Sequence, residues 1–261
     1  MRANASQLVL IALCSSCVAP RADIIPRYGS FELEGSFGAA DSSSGSSAAI
    51  ESSLEALGVS DADETFAPRV DLKWIGFHLS LSALEARYSG SGTTEAAITI
   101  DGDTIGADVP VDTDLDLGVS NVVFTFDLFP GETFEIGLGL GVALLSLDLK
   151  LQEQASASSV QSDGQLPLPM LAGRFGADLG RFEAEADIGF IGGSTDEVDL
   201  QALDVDANAQ YQVWGSGNRF AGFIVLGYRF FETDGEFDDG DSQVSLDFEL
   251  AGPYLGLNFS F

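Results

Sequence analysis

The chain has 261 residues, with 41 Asp and Glu against 11 Lys and Arg, a formal charge of −30. That balance argues against nucleic-acid binding, where Lys and Arg must neutralise phosphates. With 45% hydrophobic residues and 19 Phe, the chain is also too apolar for an acidic disordered tail.

The first 22 residues contain no acid. Arg2 gives a positive start, residues 8–13 form a short apolar run, and Ser15, Ser16 and Ala19 follow as small residues. This is the layout of a secretory signal peptide over 1–22, with the cut expected between 17 and 23. Cys14 and Cys17 both lie inside it and are read as leader residues. The alternative is acylation of Cys17, for which Cys14-Ser15-Ser16 is a poor lead-in. A cut after Ala22 leaves a mature domain, 23–261, with no cysteine and therefore no disulfide.

Beyond the leader no stretch reaches 18 consecutive apolar residues, so no membrane helix is predicted. What recurs is alternation with a period of two, the mark of a strand with one apolar face. Phe31, Leu33 and Phe37 alternate with Glu32 and Glu34. Val122, Phe124, Phe126 and Leu128 alternate with Thr125 and Asp127. From Phe134 to Leu144 the apolar positions are separated by Glu135, three glycines and Ala143. Phe182, Ala184, Ala186, Ile188 and Phe190 alternate with Glu183, Glu185 and Asp187. The chain ends on Leu255, Leu257, Phe259 and Phe261.

The connections fall into two kinds that alternate along the chain. Ile75-Gly76, Pro130-Gly131, Gly180-Arg181 and Gly215-Ser216-Gly217-Asn218 read as tight turns. The stretches near 40–67, 90–111, 152–166, 192–203 and 233–242 read as long polar loops. Ten strands result, near 28–39, 68–74, 77–89, 112–129, 133–149, 167–178, 182–191, 204–214, 219–232 and 243–261. Ambiguity in the second strand and around 94–111 allows eight to twelve. Crossing a bilayer takes about 9–11 residues, so the fourth and fifth strands are expected to project beyond it. In the last strand the apolar parity moves from Leu246, Phe248 and Leu250 to Leu255 and Leu257, which predicts a bulge at Gly252-Pro253.

Trp74, Phe77, Phe129, Phe134, Phe182, Trp214 and Phe220 sit beside the tight turns, and Phe259 and Phe261 end the chain on the same side. Rings gathered at one end suit a membrane interface. With the leader, the alternating strands and the terminal Tyr254-Leu255-Gly256-Leu257-Asn258-Phe259-Ser260-Phe261, the chain resembles small outer-membrane β-barrel proteins of Gram-negative bacteria. The resemblance spans the whole mature chain but is one of pattern. It implies an all-β, antiparallel up-and-down transmembrane barrel with short periplasmic turns and long acidic extracellular loops, inserted by the barrel assembly machinery. The class holds pores, lipid-modifying enzymes, proteases, adhesins and structural barrels, so fold does not choose among them.

His78, the sole histidine, forms a His-x-Ser pair with Ser80 that faintly resembles the lipid A deacylase barrels. It stands two residues from a tight turn, far from outer-leaflet substrates, and the plainer reading is a lumen histidine. The omptin-type proteases, also ten-stranded, need a His among acids at the extracellular rim, where this sequence offers none.

Acids cluster as Asp101 to Asp116, as Asp196, Glu197, Asp199, Asp204 and Asp206, and as Glu232 to Asp241. They are read as a solvated extracellular surface, or more sharply as weak, distributed binders of divalent cations such as Ca²⁺. No stretch fits an EF-hand loop. Parity places Glu32, Glu34, Lys73, Glu135, Arg174, Asp178, Glu183, Glu185, Asp187 and Arg229 in the lumen, as a hydrated ion-pair network. Ile50, Leu54 and Leu57 are spaced as on a short amphipathic helix over 47–58 that ends in Gly58; its plainer role is local ordering of the loop, with capping of the barrel mouth or contact with lipid head groups as the sharper readings.

The expectation is a non-enzymatic, monomeric outer-membrane barrel, structural or surface-exposed, with a narrow cation-leaning pore as one form of it. An outer-leaflet lipid-modifying enzyme and an adhesin or receptor acting through the loops are the alternatives. No catalytic, cofactor-binding or metal-ligating residue is nominated.

Overall fold

The structure, a computed structural model, describes residues 20–41, 51–59, 65–100, 103–131, 133–156, 158–194, 198–215, 220–238 and 242–261. Its sheet closes on itself. A closed antiparallel sheet satisfies its backbone hydrogen bonds without leaving an edge, the condition for crossing hydrocarbon with strands. The first stave is assembled from β1 (Arg21–Ile25), β2 (Arg27–Gly29) and β3 (Glu32–Asp41). The short β4 (Glu51–Ser53) pairs with the free edge of β3. The second stave is β5 (Thr65–Phe66) with β6 (Arg69–Trp74), and the third is β7 (Phe77–Thr93). A separate hairpin, β8 (Ile98–Ile100) and β9 (Asp103–Ile105), precedes β10 (Pro110–Pro130). Then follow β11 (Phe134–Glu153), β12 (Ser159–Asp178), β13 (Phe182–Ser194), β14 (Val198–Gly215), β15 (Ala221–Asp238) and β16 (Ser242–Ser260). Neighbouring staves pair antiparallel. The first stave pairs with β16 from Asp23↔Ser260 to Asp41↔Ser242, which completes a ten-stave barrel.

The longest staves are about twice as long as a membrane needs. β10 has 21 residues and β11 and β12 have 20 each, against about 9–11 for a span. Composition divides them into two zones, and β10 shows how. From Asp112 to Leu128 its even-numbered side chains face outward. Val122, Phe124, Phe126 and Leu128 are exposed towards lipid, whereas Asp112, Asp114 and Asp116 are exposed on the projecting part. Its odd-numbered side chains up to Asp127 face inward. Asn121 and Thr125 are buried in the membrane zone, and Val111, Leu115, Leu117 and Val119 are buried above it. The lower half is thus apolar outside and polar inside, as in a membrane barrel. The upper half is apolar inside and polar outside, as in a soluble one.

The exposed belt runs around the lower half through Leu138, Leu140, Leu171, Phe190, Leu226 and Leu255, among others. At the short-turn end, rings pair across it: Trp74 with Phe77 at 6.1 Å, Trp214 with Phe259 at 6.2 Å and Phe220 with Phe261 at 5.1 Å. Gly76 takes a positive φ of 75° in the two-residue turn between β6 and β7, a conformation that costs glycine nothing.

Several sequence expectations are corrected. The stretches near 152–166, 192–203 and 233–242 are mostly strand, with only 154–158, 195–197 and 239–241 left between staves. Of their acids, Asp234 is exposed and Glu153 half-buried on projecting strands. There is no bulge at Gly252-Pro253, since β15 and β16 stay in register from Ala221↔Ser260 to Asp238↔Gln243. The apolar parity moves there because the apolar face changes sides at the membrane boundary: Phe248 and Leu250 are buried inside, and Leu255 and Leu257 are exposed outside. The register shifts that do occur, at Asp127/Phe129 and Gln212/Trp214, lie beside short turns. Glu32 and Glu34 are exposed outside rather than in the lumen, because Phe31, Leu33 and Phe37 take the inward positions. No helix forms in the described part of 47–58. Residues 51–53 are strand and 54–58 a turn, while 47–50 lie outside the described residues.

Candidate functional site: the lumen and its plug

Inward positions of all ten staves meet in one polar network in the lower half. Arg27 gives Nη1 to Asp206 at 2.6 Å and Nε to the Ala67 carbonyl at 2.7 Å. Arg69 spans Asp71 at 2.9 Å and Asp187 at 2.5 Å. Lys73 donates to Glu185, which also accepts from Arg174 at 3.0 Å. Arg229 holds Asp204 at 3.0 Å, and Asn121 donates to the same carboxylate. Arg21 bridges Asp23 and Glu183, each at 3.0 Å. Asn258 donates to Gln210 at 2.8 Å. Tyr254 gives its hydroxyl to Asp206 and lies under the Arg27 guanidinium, 4.6 Å from the ring centre. A Cβ at Gly227 would fall 2.2 Å from the Tyr254 ring, so this glycine is the seat of that ring.

Six cations enter the network: Arg21, Arg27, Arg69, Lys73, Arg174 and Arg229. They face nine carboxylates: Asp23, Asp71, Asp127, Glu135, Glu183, Glu185, Asp187, Asp204 and Asp206. Among the described residues the lumen therefore carries three more acids than bases. Removing charge from water is costly unless it is paired and hydrogen-bonded, which explains why these groups interlock.

Lys73, Glu135, Arg174, Glu183, Glu185, Asp187 and Arg229 stand in the lumen as their parity implies. Asp178 is exposed at its mouth, where it accepts from the Gly180 amide at 2.8 Å. Asp204 and Asp206, grouped with an extracellular loop by sequence, lie deep in the lumen instead. Arg27, Arg69, Asp71, Asn121 and Tyr254 were missed. The signal for them was present: Arg69, Asp71 and Lys73, and likewise Asp204, Asp206, Asn208 and Gln210, are polar residues at every second position. His78 is 2% exposed, 3.4 Å from Asp71, and shares the inward face of β7 with Ser80.

Above the network the interior changes character. The second stave pairs with β7 only up to Arg69↔Ser82, while β7 continues to Thr93. Residues 51–59 occupy the space this leaves. Leu54 donates its amide to the Gly35 carbonyl at 2.9 Å, and Thr93 donates to Ala56 at 2.8 Å. The Thr113 hydroxyl donates to the Leu57 carbonyl at 2.9 Å. β7 accommodates this segment with inward glycines: a Cβ at Gly90 would lie 1.8 Å from the Gly58 oxygen, and one at Gly92 2.0 Å from that of Ala56. Leu54, Leu57 and Val59 thereby join Leu33, Phe37, Leu115, Leu149 and Phe248 in a buried apolar plug. The β8–β9 hairpin adds buried Ile98 and Ile105. A void of about 20 Å³ remains among these side chains and one of about 30 Å³ beside Ser80 and Asn121. At the periplasmic end the lumen opens into a cavity of about 290 Å³.

Outside, the projecting wall is acidic. Glu34, Glu249 and Glu232 stand directly opposite one another on three neighbouring strands and are exposed. Asp112 accepts hydrogen bonds from Ser91 at 2.7 Å and Gln154 at 2.9 Å, which hold its carboxyl below the usual aspartate range. Arg87, beside Asp116 at 3.5 Å, and Lys150 are the cations on the described wall above the belt.

The closed ten-stave cylinder with its lipid-facing belt and aromatic girdle defines an outer-membrane β-barrel of the Gram-negative kind, and the chain resides in that membrane. The fold is similar to that of the outer membrane protease OmpT from Escherichia coli, with a TM-score of 0.55 at 9% identity over 94% of this chain and 98% of that one. The transport unit of the autotransporter AIDA-I from Escherichia coli is matched at a TM-score of 0.39, with 10% identity over 95% and 92% of the two chains. Ail, the attachment invasion locus protein of Yersinia pestis, is matched at 0.33, with 9% identity over 94% and 100%. At such identities only the fold is shared, and the two lower scores carry no argument. No protein-family model and no curated protein matches the chain.

Proposed function

We propose that the protein is a non-enzymatic, surface-exposed barrel whose lumen is sealed and whose working surface is the acidic wall above the membrane. The observation that carries this reading is the apolar plug formed by Leu54, Leu57 and Val59 against β3, β7 and β10. Ions do not pass a dry apolar constriction, which gates by excluding water. The ion-paired lower lumen then acts as a polar core that ties the staves together. The position of His78 supports the non-enzymatic reading. It lies buried at the periplasmic half, away from outer-leaflet lipid and from anything docked on the projecting wall.

Planar-bilayer recording of the refolded barrel tests the proposal. Electrical silence at moderate voltage is expected. Steady, cation-selective steps would instead support a narrow pore, since the lumen holds more acids than bases. Should the barrel be silent, whole-cell binding assays with wall-charge variants would separate an adhesive role from a purely structural one.

A further inference from the structure

The lower lumen forms a polar cup, filled above by the plug and open to the periplasm through the cavity of about 290 Å³. Three cations line that cavity, and each is already engaged: Arg21 with Glu183, Lys73 with Glu185, and Arg174 with Glu185 and Glu135. The acids lining it outnumber them, with Asp127 and Asp178 beyond those three. Two of the acids are accessible at the mouth: the Glu135 side chain is 40% exposed, and Asp178 is exposed as well. Deeper in, Asp23, Asp71, Asp187, Asp204 and Asp206 face Arg27, Arg69 and Arg229, an excess of two carboxylates among the described residues. A net negative cavity walled by low-dielectric protein concentrates cations.

The shape argues for an organic cation over a bare metal ion. No group of three or more His, Cys, Asp or Glu among the described residues is arranged to hold a metal. The cavity is about ten times a water's share of liquid volume, roughly 30 Å³, and lies near the lower limit of small-molecule sites, about 300 Å³. We propose that this vestibule binds a linear organic polyamine from the periplasmic side, its ammonium groups on Asp178 and Glu135 and its chain directed into the cup. The proposal does not depend on whether the extracellular end is sealed, because binding is read in detergent without any current.

Isothermal titration of the full refolded barrel with spermidine, at low ionic strength to limit screening, tests it. Saturable binding of one molecule per barrel is expected. Glu135→Gln with Asp178→Asn should weaken it at least about tenfold. Thr133→Trp, which fills the mouth without altering charge, should abolish it, with folding checked by heat-dependent gel mobility. Glu232→Gln with Glu249→Gln on the outer wall should leave it unchanged. The absence of saturable heat, an equal loss in the outer-wall pair, or one-for-one competition by Mg²⁺ at the same concentration would overturn the proposal.

Discussion

Arg229→Met is the sharpest perturbation of the lumen. Arg229 is 1% exposed and holds Asp204, itself 5% exposed, through two contacts of 3.0 and 3.3 Å. Removing one partner of a buried pair leaves an uncompensated charge and costs about 3–5 kcal/mol. Here the cost should be asymmetric. Arg229→Met raises the excess of lumen acids from three to four, with Asp204 left only the Asn121 amide. Asp204→Asn lowers the excess to two, and Arg229 keeps Asp206 within electrostatic reach. We therefore expect about 3–5 kcal/mol for the first variant and about 1–2 kcal/mol for the second, the order of one poorly satisfied buried polar group. Equilibrium urea unfolding in detergent or lipid, followed by Trp74 and Trp214 fluorescence, measures both. An Asp204→Asn cost equal to or above that of Arg229→Met would refute the charge count on which the argument rests.

Further outcomes follow from the same geometry. Gly90→Val places a side chain where the Gly58 oxygen lies 1.8 Å from a Cβ, so residues 51–59 should undock, and bilayer recordings should show current absent from the parent protein. Leu140→Arg, in the middle of the lipid-facing belt, should cost about 2–4 kcal/mol in refolding equilibria, whereas Asp114→Arg on the projecting wall should change stability by less than about 0.5 kcal/mol. The depressed Asp112 carboxyl should stabilise the wall hairpins above the ordinary aspartate value of about 3.9, with that contribution lost as pH falls through its lower folded value; carbon NMR of the wall, compared with Asp112→Asn, reads this directly. Because Arg21 lies in β1 and bridges Asp23 and Glu183, intact-mass analysis of the exported protein should find a mature chain that retains Arg21. A chain starting at Asp23 would contradict that.

Much of the architecture was legible because lipid and a polar lumen impose opposite demands on alternate residues. The runs at 122–128, 134–144 and 182–190 reported their strands, and the rings near Trp74 and Trp214 reported the girdle. The upper half misled for a physical reason. There the outside is water, so Asp112, Asp114 and Asp116 alternate outward on strand β10, and an acidic strand has the same composition as a polar loop. The same inversion produced the apparent parity change near Gly252. Asp204 and Asp206 were misplaced because sequence distance from a turn does not reveal that β14 runs on to Val198. The helical spacing of Leu54 and Leu57 was real, but β3 and β7 offered unpaired edges, and pairing with them outweighed a short isolated helix. The register that brings Arg27 to Asp206 across 179 residues has no local signature at all.

Site-directed spin labelling along β10 tests the inside-out exchange most directly. Single cysteines are placed at 111–128 in a background with Cys14→Ser and Cys17→Ser, the chain's two native cysteines, and accessibility to oxygen and to a water-soluble nickel chelate is measured in lipid vesicles. The account predicts an unbroken period of two. Oxygen should reach positions 122, 124, 126 and 128, the nickel chelate should reach 112, 114 and 116, and neither should reach 115, 117 and 119. A slip of phase between 116 and 122, or free access of the chelate to 115, 117 and 119, would contradict it.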